Sequence, residues 1–254
     1  MHVYIYDSYV NDRKNQSIIS KIETRITDLG LGGKIIRIGM FNSIYNAIEN
    51  EINKGAKTII AVGNNNIFNQ VINSVAKFLT STPKKNIPIG FIPVGKQNNE
   101  KAQFTGIPFN EEACDILSAR RIDLLDLGKI NNQYFLFEAK IPTKGTTIEI
   151  DKNFSIEIDK SGDIYIVNLP TINMPKEINS SAHDDCLELL ININKSSFLL
   201  KDSGGQSVFN FKKLKIINNS FPITVDSSLK LPTPVEIEIA KEKINLIVGK
   251  NRKF

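Results

Sequence analysis

Two strand-to-helix turns in the first half of the chain carry residue types that can bind phosphate. In the first, residues 61–75 read AVGNNNIFNQVINSV, so an apolar strand ends in an asparagine turn that leads into a helix. Such a turn aims backbone N–H groups and the positive end of a helix at an anion. The candidate nucleotide-binding residues of this turn are Gly63, Asn64, Asn65, Asn66 and Asn69.

The second turn lies within residues 87–108, where a strand punctuated by prolines ends and a polar loop follows. Its candidate residues are Gly95, Asn98 and Asn99. Open parallel sheets bind ligands at the carboxyl ends of their strands, which is where both turns lie.

The elements that must position these turns alternate between strand and helix. Apolar residues at helical spacing predict helices over 17–29, 44–52 and 67–79, and apolar runs between them predict buried parallel strands. In the second half, short alternating segments separated by turn residues predict an antiparallel sheet structure. The pattern therefore predicts a parallel α/β domain followed by an antiparallel sandwich or barrel.

The chain resembles the diacylglycerol-kinase-type catalytic domain family of bacterial lipid kinases, sphingosine kinases and ceramide kinases. The family pattern G-G-D-G-T-x-N-x-x-x-N is similar to residues 63–73. The pattern P-x-G-x-x-P-x-G-T-G-N-D, followed by G-I-P, is similar to residues 88–99 and 106–108. Residues 184–186 stand near the family's D-D-G turn, and residues 222–248 resemble its closing V-D-G-E strand pair.

This resemblance implies the two-domain fold that diacylglycerol kinases share with NAD kinases, a Rossmann-like α/β domain over 1–125 followed by an all-β sandwich domain over 126–254. It implies a nucleotide-binding first domain, ATP and Mg²⁺ as cofactors, and an active site in a cleft between the domains that Asn65 and Asn99 would face. It also implies that the last strand, within 244–248, returns to the first domain.

Three acidic positions of the family pattern hold uncharged residues in this chain. Asn65 replaces the loop aspartate, Asn99 replaces the aspartate of G-N-D, and Ser228 replaces the glutamate after V-D-G. By the resemblance, those acids bind nucleotide and magnesium or activate the acceptor hydroxyl. A general base contributes ~10²–10⁴-fold and one electrostatic contact ~10²–10³-fold, so phosphoryl transfer is expected to be impaired or absent. Asp226 and Ser228 are the candidate catalytic positions, and without the glutamate Asp226 is expected to fix a turn.

Further departures weaken the cofactor and lipid predictions. The threonine of the family loop is Ile67, which has no donor for phosphate. After the first strand, residues 7–11 replace the family's N-P-x-S-G, and Asp7, the nucleotide-binding candidate there, would repel a triphosphate. Asp185 is the candidate metal ligand, with a surface turn as the alternative interpretation. The stretch 139–146 is too short for the family's helical insertion, and the glycine-rich segment is reduced to residues 168–170. At ~0.8 kcal/mol per buried CH₂, a long acyl chain loses much of its binding energy, which argues against lipid as a partner.

The composition limits the classes of ligand and the cellular location that we expect. The net charge of +5 suits a nucleotide or another small anionic ligand, whereas scattered lysines argue against nucleic acid. No apolar run approaches the ~20 residues of a transmembrane helix, and residues 1–10 do not resemble a signal peptide, so we expect a cytoplasmic protein. Two cysteines are too few for a disulfide framework. A homodimer is compatible with the sequence.

Three functions stay open from the sequence. The favoured hypothesis is a non-catalytic relative of lipid kinases, a pseudokinase that binds a ligand through the former active site. The second is an active, divergent kinase in which Asp185, Glu188 or Asp226 supplies the metal site. The third is an enzyme of the NAD kinase type, although the G-I-P segment and the closing V-D strands favour the lipid-kinase branch.

Overall fold

The structure is a computed structural model. The residues that it describes are 1–39, 43–83, 85–96, 99–150, 154–171, 174, 181–194 and 205–254. The chain forms two compact units, the first from Met1–Leu125 with Glu242–Phe254 and the second from Asp126–Lys241. No helix in the described part of the chain is long and apolar enough to cross a membrane.

The first unit is a six-stranded sheet with helices. Its strands are β1 (His2–Tyr6), β2 (Gly33–Arg37), β3 (Thr58–Gly63), β4 (Ile89–Pro93), β5 (Ile122–Leu125) and β18 (Ile244–Ile247). Its helices are α1 (Gln16–Asp28), α2 (Ile44–Asn53), α3 (Asn65–Ser81), α4 (Glu100–Phe104) and α5 (Ala113–Ala119). The strand order is β2-β1-β3-β4-β18-β5, with parallel pairing except between β18 and β5.

Apolar periodicity explains the three long helices. In α1, Ile22 and Ile26 lie one turn apart and both are buried. In α3, the ring of Phe68 stacks on that of Phe91 from β4, with centroids 4.4 Å apart. Every residue of β3 is buried, as expected for a central parallel strand covered on both faces. The α/β prediction for this part of the chain is confirmed.

The last strand, β18, lies between β4 and β5 and brings the C-terminal segment against the G-I-P turn. The N–H of Gly249 donates to the carbonyl of Thr105 at 2.9 Å. A Cβ on Gly249 would lie 1.7 Å from the carbonyl oxygen of Gly106, which itself has φ +70°. Two glycines therefore allow two backbone segments to touch, and the glycine of the G-I-P motif has a packing role here.

The second unit is a sandwich of two antiparallel sheets. Its strands are β6 (Gly128–Ile130), β7 (Gln133–Phe135), β8 (Glu138–Pro142), β9 (Thr146–Ile150), β10 (Phe154–Glu157), β11 (Gly162–Val167), β12 (Leu187–Ile193), β13 (Gln206–Phe211), β14 (Lys213–Asn218), β15 (Ile223–Val225), β16 (Leu229–Leu231) and β17 (Val235–Ile239). Sheet I has the order β10-β9-β14-β17-β6-β7, and sheet II has the order β13-β12-β11-β8-β15-β16. Alternate residues of both sheets form one buried core, which confirms the predicted sandwich.

Two short connections shape this sandwich. The continuous segment 208–216 belongs to β13 in sheet II and β14 in sheet I, so the chain changes sheet at Lys212. Residues 143–145 alone join β8 in sheet II to β9 in sheet I. No helical insertion interrupts the described stretch 138–150, as the sequence predicted.

Ion pairs cover the outer face of sheet I. Lys213 pairs with Glu236 at 2.9 Å and Lys215 pairs with Glu149 at 3.3 Å, in both cases across neighbouring strands. Such cross-strand pairs contribute roughly 0.2–1 kcal/mol each. Lys213 and Lys215 therefore form part of a mixed-charge face rather than a basic patch.

Candidate functional site

The strand ends of the first unit form the candidate site. The N–H of Asp7, after β1, donates to the carbonyl of Val62 in β3 at 3.0 Å, and the N–H of Val94, after β4, donates to that of Gly63 at 2.8 Å. The sequence candidates that follow β1, β3 and β4 therefore lie along one edge. From β1 the chain goes to β2 on one side and then to β3 on the other, so the strand order reverses here, where open α/β sheets bind ligands.

Gly63 ends β3 with φ +151°, in a place too crowded for a side chain. A Cβ there would lie 2.8 Å from Cβ of Asp7 and 2.9 Å from Cγ2 of Ile67. Ile67, at the family threonine position, is buried and packs beneath the turn. The tight turn predicted from the sequence is therefore present.

Asn64 caps helix α3. Its Oδ1 accepts hydrogen bonds from the N–H groups of Asn66 at 2.9 Å and Ile67 at 3.3 Å. The first turn of a helix offers unpaired N–H groups, and these are the donors that bind a phosphate at such a site. Two of them are occupied by a side chain of the turn itself. The side chain of Asn66 is exposed.

Asn65 and Asn99 occupy the two strand-end positions where the family has aspartates. Asn99 is fully buried, and its Nδ2 donates to the carbonyls of Val94 at 3.2 Å and Gly95 at 2.7 Å. Among the described residues, no donor reaches Oδ1 of Asn99 or the buried Oδ1 of Asn65. A buried acceptor without a partner costs about 1–3 kcal/mol, so each oxygen could gain from a hydrogen-bond donor.

The other candidates of this unit are held by interactions within it. Gly95 has φ +76°, and its N–H donates to Oδ1 of Asn110 at 2.8 Å. Asn69 accepts a hydrogen bond at 3.2 Å from Nζ of Lys101, which is 3% exposed, and this bond joins α3 to α4. The candidate Asn98 lies outside the described residues.

Tyr9 is a residue of this site that the sequence interpretation missed. It belongs to the 3₁₀ turn Ser8–Asn11, and its hydroxyl donates to the carbonyl of Val94 at 2.9 Å. Half-buried Asp7 starts this turn and accepts from the N–H of Tyr9 at 3.5 Å. Tyr9 lies within residues 7–11, which follow the first strand at the family's N-P-x-S-G position, but the interpretation considered only the charge of Asp7 there.

The candidates of the second unit are held in turns. The carboxylate of Asp226, 4% exposed, accepts hydrogen bonds from three successive N–H groups, those of Leu136 at 3.1 Å, Phe137 at 3.0 Å and Glu138 at 3.2 Å. This geometry fixes the start of β8. Ser228 is exposed, and its N–H donates to the carbonyl of Val225 at 3.0 Å.

Asp185, the candidate metal ligand, is exposed in a turn. Its N–H donates to Oδ2 of the buried Asp126 at 2.9 Å. Within the residues that the structure describes, no three His, Cys, Asp or Glu side chains are grouped so that they could hold a metal ion. The metal-binding role of Asp185 therefore has no structural support beyond its acidic side chain.

The strand-end site does not fit Mg²⁺ and a nucleoside triphosphate. Magnesium is usually bound through carboxylates and phosphates, whereas Asn65 and Asn99 offer neutral amide oxygens. The α3 donors that would meet a phosphate are capped by Asn64, and Asp7 places negative charge at the same edge.

An α/β unit with its site at the strand ends, together with a β-sandwich unit, is the architecture of the diacylglycerol-kinase-like fold. The profile of the diacylglycerol kinase catalytic domain matches residues 3–130, just over half of the chain. The chain therefore belongs to the diacylglycerol kinase catalytic domain family. A comparison with curated proteins gives no match.

Solved structures of similar fold extend over both units. The crystal structure of a diacylglycerol kinase from Bacillus anthracis str. Sterne is 17% identical, with a TM-score of 0.74 over 99% of this chain and 98% of that one. Two further structures from the same organism, assigned to the same enzyme class, are also 17% identical, with TM-scores of 0.74 and 0.76. They cover 98% and 99% of this chain and 97% and 98% of their own. At this identity the likeness establishes the fold.

Proposed function

We propose that this chain is a pseudokinase of the diacylglycerol kinase family, which has lost phosphoryl transfer and uses the strand-end site to bind a ligand. The observation that carries the proposal is the cap on α3. Oδ1 of Asn64 accepts from two first-turn N–H groups, which are the donors that a transferred phosphate would need.

The uncharged residues at the former acidic positions support the same proposal. Phosphoryl transfer depends on positioning and on neutralising charge around Mg²⁺, and Asn65, Asn99 and Ser228 supply no anionic oxygen. Asp226 keeps its carboxylate, but three backbone N–H groups occupy it. The short β8–β9 connection also argues against a deep acyl pocket, so we do not assign a lipid substrate.

One observation favours a second candidate, an active and divergent kinase. Glu100 is exposed and begins α4 directly after Asn99. A carboxylate one residue from the former aspartate position could bind a metal ion after a small change of the loop.

The decisive experiment measures transfer of radiolabelled phosphate from Mg·ATP to diacylglycerol in mixed micelles, with an active diacylglycerol kinase run in parallel. We expect no transfer above the protein-free blank, and no calorimetric signal for Mg·ATP at micromolar concentrations. Robust transfer by the unmodified chain would overturn the proposal. If Glu100→Gln then abolished the transfer while the exposed control Glu112→Gln did not, the second candidate would replace the first.

A further inference from the structure

Strand β13 of the second unit is an edge strand without the usual protection against pairing. Within the described strands it pairs with β12 alone, so one side of its backbone has no strand partner. Its six residues, Gln206–Phe211, include no charged residue and no proline, and the first five are exposed. Native edge strands are usually short or carry a charge or a proline, because an open edge is a template for another chain.

The other sheet edges of the described structure have such protection. Strand β2 carries Lys34 and Arg37, β5 carries Asp123, and β10 carries Glu157. Strands β7 and β16 have only three residues each. Among the edge strands of the three sheets, β13 therefore stands apart, because it combines length and exposure with the absence of charge.

The pairing with β12 shows which backbone groups of β13 point outward. The N–H of Ile193 in β12 donates to the carbonyl of Gly205 at 2.9 Å, so the backbone of Gly205 faces β12. In an antiparallel pair this direction alternates from residue to residue, and the register is continuous as far as Phe211. The N–H and C=O groups of Gln206, Val208 and Asn210 therefore point away from β12.

Both faces of β13 carry an exposed apolar side chain. Phe209 lies opposite Leu189, which belongs to the sandwich core, so Phe209 is on the inner face of sheet II. Val208 lies opposite Leu190, on the outer face. Phe209 is 43% exposed and Val208 is 37% exposed. A further strand at this edge would cover both side chains as well as the backbone.

A second copy of β13 fits this edge in one register better than in the others. A two-fold axis perpendicular to the sheet at Val208 places Val208 opposite Val208 of the second copy, and Gln206 opposite Asn210. All three outward-pointing residues then exchange N–H···O bonds with outward-pointing residues. A shift to the next hydrogen-bonding register leaves one of the three opposite a residue outside the strand. On the inner face, Ser207 leaves room for Phe209 of the second copy.

Charge does not oppose this pairing. Both strands are uncharged, so no like charges lie opposite each other. Lys212, which directly follows β13, is exposed. In the register centred on Val208 the two Lys212 residues are about eight positions apart along the strand direction, or roughly 27 Å. This separation exceeds the Debye length of ~8 Å at physiological ionic strength, so their repulsion is screened.

We propose that two copies of this chain associate through β13, antiparallel about a two-fold axis at Val208, which joins their two copies of sheet II into one continuous sheet. The same surface is used on both copies, so the association is closed and ends at the dimer. This inference goes beyond the proposed function, because it needs neither a ligand nor the strand-end site.

Analytical ultracentrifugation of the full chain tests the association. We expect the mass to rise from 28.4 kDa toward twice that value as the concentration increases. Val208→Lys places two like charges opposite each other and should weaken the dimer at least tenfold. Phe154→Lys is the matched control, because Phe154 is 70% exposed on the edge strand β10, and it should leave the dimer unchanged.

Two results of this experiment would overturn the proposal. One is a mass that stays at 28.4 kDa up to about 1 mM. The other is a dimer that survives Val208→Lys but is lost in Phe154→Lys, which would place the interface at β10.

Proline variants separate pairing from folding. The N–H of Val208 points outward, so Val208→Pro removes a hydrogen bond to the second copy and none to β12, and edge strands tolerate proline at such positions. We expect a monomer whose urea midpoint is close to that of the unmodified chain. Phe209→Pro removes a hydrogen bond to β12 and should lower the midpoint. A dimer that persists in Val208→Pro would contradict the proposal.

Disulfide formation tests the register. The Cα atoms of the two Val208 residues should lie about 5.5 Å apart, within the range of about 4.4–6.8 Å that a disulfide spans. In a chain with Cys186→Ser, mild oxidation of Val208→Cys should therefore give a covalent dimer on a non-reducing gel. Asn210→Cys is the control, because its two copies would be roughly 14 Å apart along the strands. No covalent dimer from Val208→Cys, or equal amounts from both variants, would show that the register is wrong.

Discussion

The asparagines of the strand-end site differ in the hydrogen bonds that they make. Asn64 caps a helix, Asn99 joins two carbonyls of the loop, and Asn69 accepts from a buried lysine. The backbone of Asn64 is extended, with φ −107°, so no left-handed conformation requires an asparagine there. The side chain of Asn64 has a role of its own, because its Oδ1 accepts from the N–H groups of Asn66 and Ile67, which a glycine would leave unpaired.

Asn64→Gly should therefore restore anion binding in part. The variant exposes the N–H groups of Asn66 and Ile67, and we expect about tenfold tighter binding of pyrophosphate, or ~1.4 kcal/mol. Glycine is itself a tolerated cap, so helix stability should fall by only a few tenths of a kcal/mol. Calorimetric titration with pyrophosphate measures the change.

A matched variant separates the cap from the loss of a polar group. Asn64→Asp keeps a capping oxygen and adds negative charge, so pyrophosphate should bind no better than to the unmodified chain. Equal affinity gains for Asn64→Gly and Asn64→Asp would show that the cap does not limit anion binding.

Asp226 has a stabilising role that mutation can reveal. Asp226→Asn replaces one carboxylate oxygen with an NH₂ group, which would face the donating N–H of Leu136. We expect the free energy of unfolding to fall by about 2–3 kcal/mol, because hydrogen bonds to charged groups contribute ~1.5–3 kcal/mol. Urea unfolding measures this, with the exposed Asp159→Asn as control. An unchanged midpoint would argue against a structural role.

At the scale of elements, the long helices were predictable and the short ones were not. Spacing such as Ile22 and Ile26 identifies a helix that packs against a sheet. Helix α4 has five residues, EKAQF, and no complete apolar period, so its helical form depends on tertiary contacts. One of these is the bond between Lys101 and Asn69, two residues 32 positions apart.

The contact between β18's trailing segment and the G-I-P turn gives an element-scale prediction. Gly249→Ala would force a methyl group into the carbonyl of Gly106, and backbone has little room to move there. We expect a loss of about 3 kcal/mol or more of unfolding free energy, in the range that marks severe packing defects. Denaturant midpoints report it. Gly32→Ala is the control, because nothing lies within 4 Å of its added Cβ.

The packing of α5 on α1 can be tested through cysteine reactivity. Cys114 in α5 is buried beside the carbonyl of Ile22, and burial raises the pKa of its thiol to about 12. At pH 8 the reactive thiolate of Cys114 is therefore scarce. We expect iodoacetamide to label the half-buried Cys186 at least tenfold faster in the native protein, and both cysteines equally in urea, as followed by mass spectrometry. Equal native rates would contradict this packing.

At the scale of the whole molecule, the fold matches that of solved diacylglycerol kinases, whereas residues of the candidate site depart from the family pattern. The chain matches solved structures along nearly its full length at 17% identity. Apolar alternation and turn residues were enough to predict an α/β part and a sandwich. The strand ends indicated a candidate site, but the contacts of Tyr9 and Asp226 could not be found from the sequence, because each joins segments about 90 residues apart in the chain. The cap formed by Asn64 is local, to residues two and three positions further on. A cytoplasmic location and a homodimer stay predictions.

The position of β18 delays the completion of the first unit's sheet during synthesis of the chain. The first unit lacks a strand between β4 and β5 until the chain has passed through the entire sandwich. At ~5–20 residues per second, a ribosome needs roughly 6–25 s to add the intervening ~120 residues. During that interval β4 and β5 expose unpaired edges, which are templates for wrong partners. The sandwich is continuous in the chain, so the part of the protein that is made later is the part that can finish folding first.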